Sequence, residues 1–288
     1  MRIIKMLVCC LIGLILVGCN NFKPNFSVPM TYDEALEIYF DKNASDSDVQ
    51  IAEESLRKNL AQEGYKLEEI NLSELEELKK EGYTALMLAS AMGLSVTVKK
   101  YIANGANPND VNNNGEIALM LVGVTDESRK HKTVYSEIVK TLVAAGANVN
   151  AKDKSGATAL FSASIDGNTE VVKALISAGA DVNIKAKNEV TILMVASGWN
   201  GNREIVKALI DAGAEVNASD SRGQTALIYA AIAGNAETAK ELIASGANIY
   251  MARQDGKIAL TLAEEKCKNE VAKILREQEN MGVSIVYN

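Results

Sequence analysis

The chain has 288 residues, 48% of them hydrophobic and 23% charged, which excludes a disordered or fibrous protein. Aromatic residues make up only 5%, so a core of this size must be built from thin layers of Ala, Leu, Ile and Val, as helical and repeat architectures do. With 30 Lys and Arg against 37 Asp and Glu the formal charge is −7, and no basic block offsets it. That balance argues against binding nucleic acid through its phosphates, and a single His excludes His-rich metal sites.

The first residues read as an address. Arg2 and Lys5 make a basic start, and Met6 to Gly18 carry no charge. As a helix those thirteen residues rise about 20 Å, short of the roughly 30 Å of a hydrocarbon core, so the segment is expected to be a signal peptide rather than a span. Leu16-Val17-Gly18-Cys19 resembles the bacterial lipobox. That resemblance implies a signal segment 1–18, cleavage before Cys19 and acylation of its thiol. The mature protein would then be lipid-anchored to a membrane of the bacterial envelope, periplasmic or surface-exposed. An ordinary secretory signal and an uncleaved short anchor are the alternatives. Cleavage also removes Cys9 and Cys10, leaving Cys19 and Cys267, so no disulfide framework is expected. Residues 19–30, with two of the three prolines, are expected to be a tether.

From 31 to 78 the pattern is helical. Thr31 with Glu34 and Ser47 with Gln50 have capping-box spacing. Val49, Ala52, Leu56 and Leu60 form one apolar stripe, and Leu72, Leu75 and Leu78 form another. This stretch is expected to cap the folded body at its amino-terminal end, or else to be a separate binding element.

The body repeats itself. Gly105-Ala106, Gly146-Ala147, Gly179-Ala180, Gly213-Ala214 and Gly246-Ala247 are spaced 41, 33, 34 and 33 residues apart. Each is preceded by a second motif: Thr84-Ala85-Leu86-Met87, Ile117-Ala118-Leu119-Met120, Thr158-Ala159-Leu160-Phe161, Thr191-Ile192-Leu193-Met194 and Thr225-Ala226-Leu227-Ile228. Ile258-Ala259-Leu260-Thr261 begins a sixth unit without a closing Gly-Ala. Within a unit, Thr158 to Ser164 predicts a short apolar helix and Gly167-Asn168 a turn. Glu170 to Ala178 predicts an amphipathic helix, ended by Gly179 in the left-handed region.

These motifs, together with Val149-Asn150, Val182-Asn183 and Val216-Asn217, resemble the ankyrin-repeat family. The resemblance implies an all-α solenoid with short β-hairpin loops. About six helix-turn-helix repeats would lie near 82–114, 115–155, 156–188, 189–222, 223–255 and 256–279, within a domain from 79 to 279 and ahead of a tail at 280–288. The family's Pro is replaced by Ala or Ile in all six units, and its His by Met, Phe, Ile or Thr. Loss of the His is expected to remove a polar tie at each helix start. Two units are longer than the rest. About eight extra residues around Asp126 to Thr133 predict a solvated loop, and one extra residue lies near Gly198-Trp199-Asn200-Gly201.

No phosphate-cradling Gly loop, His-Glu-x-x-His or Cys-x-x-Cys is present, so no enzyme, cofactor, metal site or small-molecule substrate is expected. The family resemblance implies protein binding by hairpin tips and the concave face of the first helices. In this chain that surface would hold Tyr83, Met92, Ile165, Trp199 and Ile232 as an apolar stripe, with Lys154 and Arg222 on basic tips. Lys185, Lys187 and Arg253 are further tip cations that could steer an acidic partner. Trp199 is the expected anchor, since Trp is enriched among binding hot spots; alternatively it folds back to fill a gap made by the extra residue. The expected function is non-enzymatic protein–protein binding from the envelope, with a partner that is protected, regulated or contacted on a host. An immunity-type inhibitor of a toxin is the alternative.

Overall fold

In a computed structural model the described residues are 73–123 and 132–286. The signal segment, Cys19, the tether and most of the predicted cap therefore lie outside the described residues, as does 124–131. The chain divides into two compact units, Met1–Asn148 and Val149–Asn288.

The first unit holds α1 (Ser73–Lys80), α2 (Ala85–Ala91), α3 (Ser95–Ala103), a 3-10 turn over Ala118–Leu121, and α4 (Lys132–Ala144). Here α2 packs on the 3-10 turn and α3 on α4, so two repeats lie side by side. Lys132 and Thr133, expected in the inserted loop, instead belong to α4, which at 13 residues is longer than the nine of α3.

The second unit holds α5 (Ala159–Asp166), α6 (Thr169–Ser177), α7 (Ile192–Val195), a π turn (Ala196–Asn200) and α8 (Arg203–Asp211). It continues with α9 (Ala226–Ala233), α10 (Ala236–Ala244), α11 (Ala259–Glu265) and α12 (Asn269–Val286). Two rows result: α5, α7, α9 and α11 pack in sequence as the inner row, and α6, α8, α10 and α12 as the outer row. Among the described residues, strand pairing is limited to three antiparallel bridges, Lys185 with Thr191, Ser219 with Thr225 and Ala252 with Ile258. The expected all-α fold with short hairpin loops is the fold observed.

Local chemistry explains the regularity. Thr84, Thr158, Thr191 and Thr225 are N-caps whose hydroxyls accept from the backbone N–H three residues on. Where the repeat begins with Ile, at Ile117 and Ile258, no side chain caps the helix, and after Ile117 the helix narrows to a 3-10 turn. The expected loss of the polar tie is only partial. Met87 Sδ accepts from Thr84 N at 3.5 Å and Met194 Sδ from Thr191 N at 3.4 Å, closing a capping box with a thioether. The buried Ser90, Ser164 and Ser197 each donate to the carbonyl one turn earlier, so their hydroxyls are satisfied inside the core.

The recurring Asn after Val, and Asn109 before it, brace one repeat to the next. Asn183 Nδ2 donates to Gly213 O at 3.0 Å, and Asn183 Oδ1 accepts from Glu215 N at 2.9 Å. Asn109, Asn150 and Asn217 do the same with Gly146 and Asn148, Gly179 and Asp181, and Gly246 and Asn248.

One hairpin departs from the others. Gly156, Gly223 and Gly256 close their turns with φ near +80°, but the corresponding hairpin uses Asn188 (φ 61°) and Glu189 (φ 60°). Asn tolerates this region; Glu is strained there. Glu189→Gly is expected to raise stability by about 0.5–1 kcal/mol, the relief of strain outweighing a more flexible unfolded chain and the loss of the exposed Lys185 pair. A shift of the urea midpoint upward with an unchanged slope checks it.

Candidate protein-binding surface

In the second unit the hairpin tips and the far ends of the inner helices bound one face. The hairpins lead into α5, α7, α9 and α11, and Ile165, Trp199 and Ile232 stand where the first three of those helices end.

Trp199 is the decisive residue. It sits eight positions after Thr191, as Met92 sits eight after Thr84, but the two end differently. The extra residue near Gly198 widens the end of α7 into a π turn over Ala196–Asn200, and Trp199 is 77% exposed. The turn is held from the next repeat. Asn235 Nδ2 donates to Ser197 O at 2.7 Å and to Gly198 O at 3.3 Å, and Thr238 Oγ1 donates to Gly201 O at 3.0 Å. Gly198 lies against the Tyr229 ring, where an added Cβ would sit 3.1 Å from Cδ1. Gly201 has φ 56°, and a Cβ there would clash with the Asn235 side chain. The space around the insertion is thus taken by Asn235 and Tyr229, so Trp199 does not fold back to fill it.

Both α5 and α9 pack against the π turn, so the helices that carry Ile165 and Ile232, each half-buried, belong to the repeats on either side of the one that carries Trp199. Lys154 and Arg222 are exposed on the hairpin tips at the start of α5 and α9.

Tyr83 and Met92 do not belong to this stripe. Tyr83 is 4% exposed: its hydroxyl donates to Glu116 Oε2 at 3.2 Å, and that carboxylate also accepts from Asn112 Nδ2 at 2.7 Å. Burial first, then the neighbouring Glu116 carboxylate, pushes the Tyr83 phenol well above its ordinary range. Met92 is 6% exposed because α2 ends there without an extra residue, its N–H still bonded to Leu88 O at 3.0 Å. Both are core residues of the first unit.

The charges divide by face. The outer helices are laced across repeats: Lys173 with Glu204, and Arg203 and Lys207 with Glu241. On the hairpins the carboxylates serve the turns themselves. Asp153 Oδ1 accepts from Ser155 N and Ala157 N, and Asp220 Oδ1 accepts from Arg222 N and Gln224 N. Asp220 Oδ2 further accepts from Gln224 Nε2 and from Tyr229 Oη, both at 3.0 Å. Burial pushes the Tyr229 phenol up to about 12, helped by the bond to Asp220, so it remains a donor.

Comparison with known families matches "Ankyrin repeats (3 copies)" over residues 130–220 and 193–286, and "Ankyrin repeat" over 81–113. The chain belongs to the ankyrin-repeat family. A search of the curated proteins returned no match. Ankyrin repeats are protein-interaction modules and in general non-enzymatic scaffolds. Among the described residues no group of three His, Cys, Asp or Glu converges, and no helix is long and apolar enough to cross a membrane.

Because Trp199 makes up no part of the core, Trp199→Ala is expected to change unfolding free energy by no more than about 0.5 kcal/mol. Equilibrium urea unfolding followed by circular dichroism measures it; a loss of several kcal/mol would mean that the indole is a packing element.

Proposed function

We propose that this ankyrin-repeat protein binds a protein partner through the surface centred on Trp199, flanked by Ile165 and Ile232 and bordered by Lys154 and Arg222. The observation that carries this is a large indole held outside the core by a turn whose polar groups are already satisfied. Such an indole stabilises nothing in the free chain, whereas covering it with a partner removes apolar area from water. The half-buried Ile residues beside it would exclude water from the contact.

The same proposal places the protein at the bacterial envelope, lipid-anchored through Cys19, with the repeats outside the cytoplasm. Leu16-Val17-Gly18-Cys19 after an uncharged apolar segment supports this. There the protein would protect or regulate an envelope protein or contact a host protein.

The test is capture from an envelope extract with wild type and Trp199→Ala as parallel baits, both shown to be folded. A protein retained by the first and lost by the second supports the anchor. Equal retention by both removes Trp199 from the interface. Mass spectrometry of the mature amino terminus decides the anchor: an acylated Cys19 is expected, and an unmodified terminus elsewhere contradicts it.

A further inference from the structure

The hairpin rim of the second unit carries charge opposite to the rest of the chain. Its four hairpins, 151–157, 185–190, 219–224 and 252–257, hold seven Lys and Arg against four Asp and Glu, while the whole chain holds 30 against 37. The carboxylates there are occupied. Asp153 and Asp220 point into their own turns, Asp255 takes Lys257 N and pairs with Arg253 at 2.8 Å, and Glu189 pairs with Lys185 at 3.2 Å. Lys154, Lys187 and Arg222 make no ion pair among the described residues, and all three are exposed.

These three cations belong to successive hairpins tied edge to edge. Lys187 N donates to Ser155 O at 3.3 Å, Ser221 N to Asn188 O at 2.8 Å, and Gln254 N to Arg222 O at 2.9 Å. The rim is therefore a connected row in which Lys154, Lys187 and Arg222 stand without an ion pair on three successive hairpins, while Arg253 and Lys257 of the fourth are paired. On the outer helices Lys173, Arg203 and Lys207 are each held by a carboxylate of the same or the next repeat.

We propose that this rim docks an extended Asp- and Glu-rich segment of the protein partner, whose carboxylates pair with Lys154, Lys187 and Arg222. The proposal rests on the protein-binding reading of the same face and adds the chemistry of what is bound. Charge complementarity carries it: the chain as a whole is acidic at net charge −7, whereas the rim holds more cations than carboxylates and its carboxylates are occupied.

The experiment titrates the full-length chain with a fluorescently labelled Glu-rich peptide at low and high salt. Two variants of equal charge change are compared, Lys154→Gln/Lys187→Gln/Arg222→Gln on the rim and Lys173→Gln/Lys207→Gln/Lys240→Gln on the outer helices. Three exposed contacts at about 0.5 kcal/mol each predict about tenfold weaker binding for the rim variant, little change for the outer one, and binding by wild type that weakens with salt. Absence of peptide binding, or equal weakening in the two variants, overturns the proposal. Preference for a DNA oligonucleotide or for anionic lipid vesicles over the peptide also overturns it. Trp199→Ala is run alongside: if it keeps the captured partner while the rim variant loses the peptide, the indole anchor has failed and the acidic-segment proposal stands.

Discussion

Leu193→Ala is expected to destabilise the chain by about 3 kcal/mol, against no more than about 0.5 kcal/mol for Trp199→Ala six residues away. Leu193 is 1% exposed in α7, a helix of only four residues that α5 and α9 flank. Truncation there removes apolar contact with both flanking repeats and leaves a cavity that such a short helix cannot collapse to fill. In a repeat array stability is close to a sum of unit and nearest-neighbour terms, so the loss is expected to spread to the amides of the adjoining repeats. Native-state hydrogen exchange of α5, α7 and α9 checks this. Unchanged protection would show that α7 contributes little to its neighbours.

Asp220→Ala is expected to cost about 2–4 kcal/mol, because its carboxylate takes four hydrogen bonds and is 5% exposed. Removing it leaves two backbone N–H groups, the Gln224 amide and the Tyr229 hydroxyl without their acceptor. Burial alone would raise the Asp220 carboxyl, but the bonds from Gln224, Arg222 and Tyr229 outweigh it and hold the group below its ordinary value. The folded state thus binds its proton less readily than the unfolded state. The stabilisation is fully present above the unfolded value of about 3.9 and is lost as pH falls through the lower folded one. The difference in stability between wild type and Asp220→Ala is therefore expected to be constant near neutrality and to shrink below about pH 4. Urea unfolding at several acidic pH values measures it; a difference that grows with acid would contradict the assigned hydrogen bonds.

The repeat was legible in the sequence because its geometry depends on a few residue types at a fixed phase. Thr before Ala-Leu supplies the cap, Gly before Ala supplies the left-handed stop, and both recur whatever surrounds them. The phase also found the rim cations and the site of the extra residue. What it could not supply was the direction of a side chain. Tyr83 and Met92 occupy rim positions by phase, but one is drawn in by Glu116, 33 residues on, and the other lies at a helix end that has no insertion. The exposure of Trp199 likewise depends on Asn235 and Thr238 of the next repeat, whose bonds to the π turn span 37 and 38 residues. Asn235 is in phase with Asn168 and Asn202, which hold the same place after their own turns. Asn168 and Asn202 cap the helices that follow them, whereas Asn235 makes no such cap and holds the widened turn instead, a role with no local signature. The sulfur caps of Met87 and Met194 were also hidden, because a buried Met reads as core in any pattern of hydrophobicity.

Trp199 is the sole tryptophan of the chain, so intrinsic fluorescence reports on it alone. The account predicts the emission of a water-exposed indole in the folded full-length protein, quenched by iodide nearly as well as in the unfolded chain. A blue-shifted emission that iodide does not reach, red-shifting only on unfolding, would place the indole in the core and contradict the binding surface built on it.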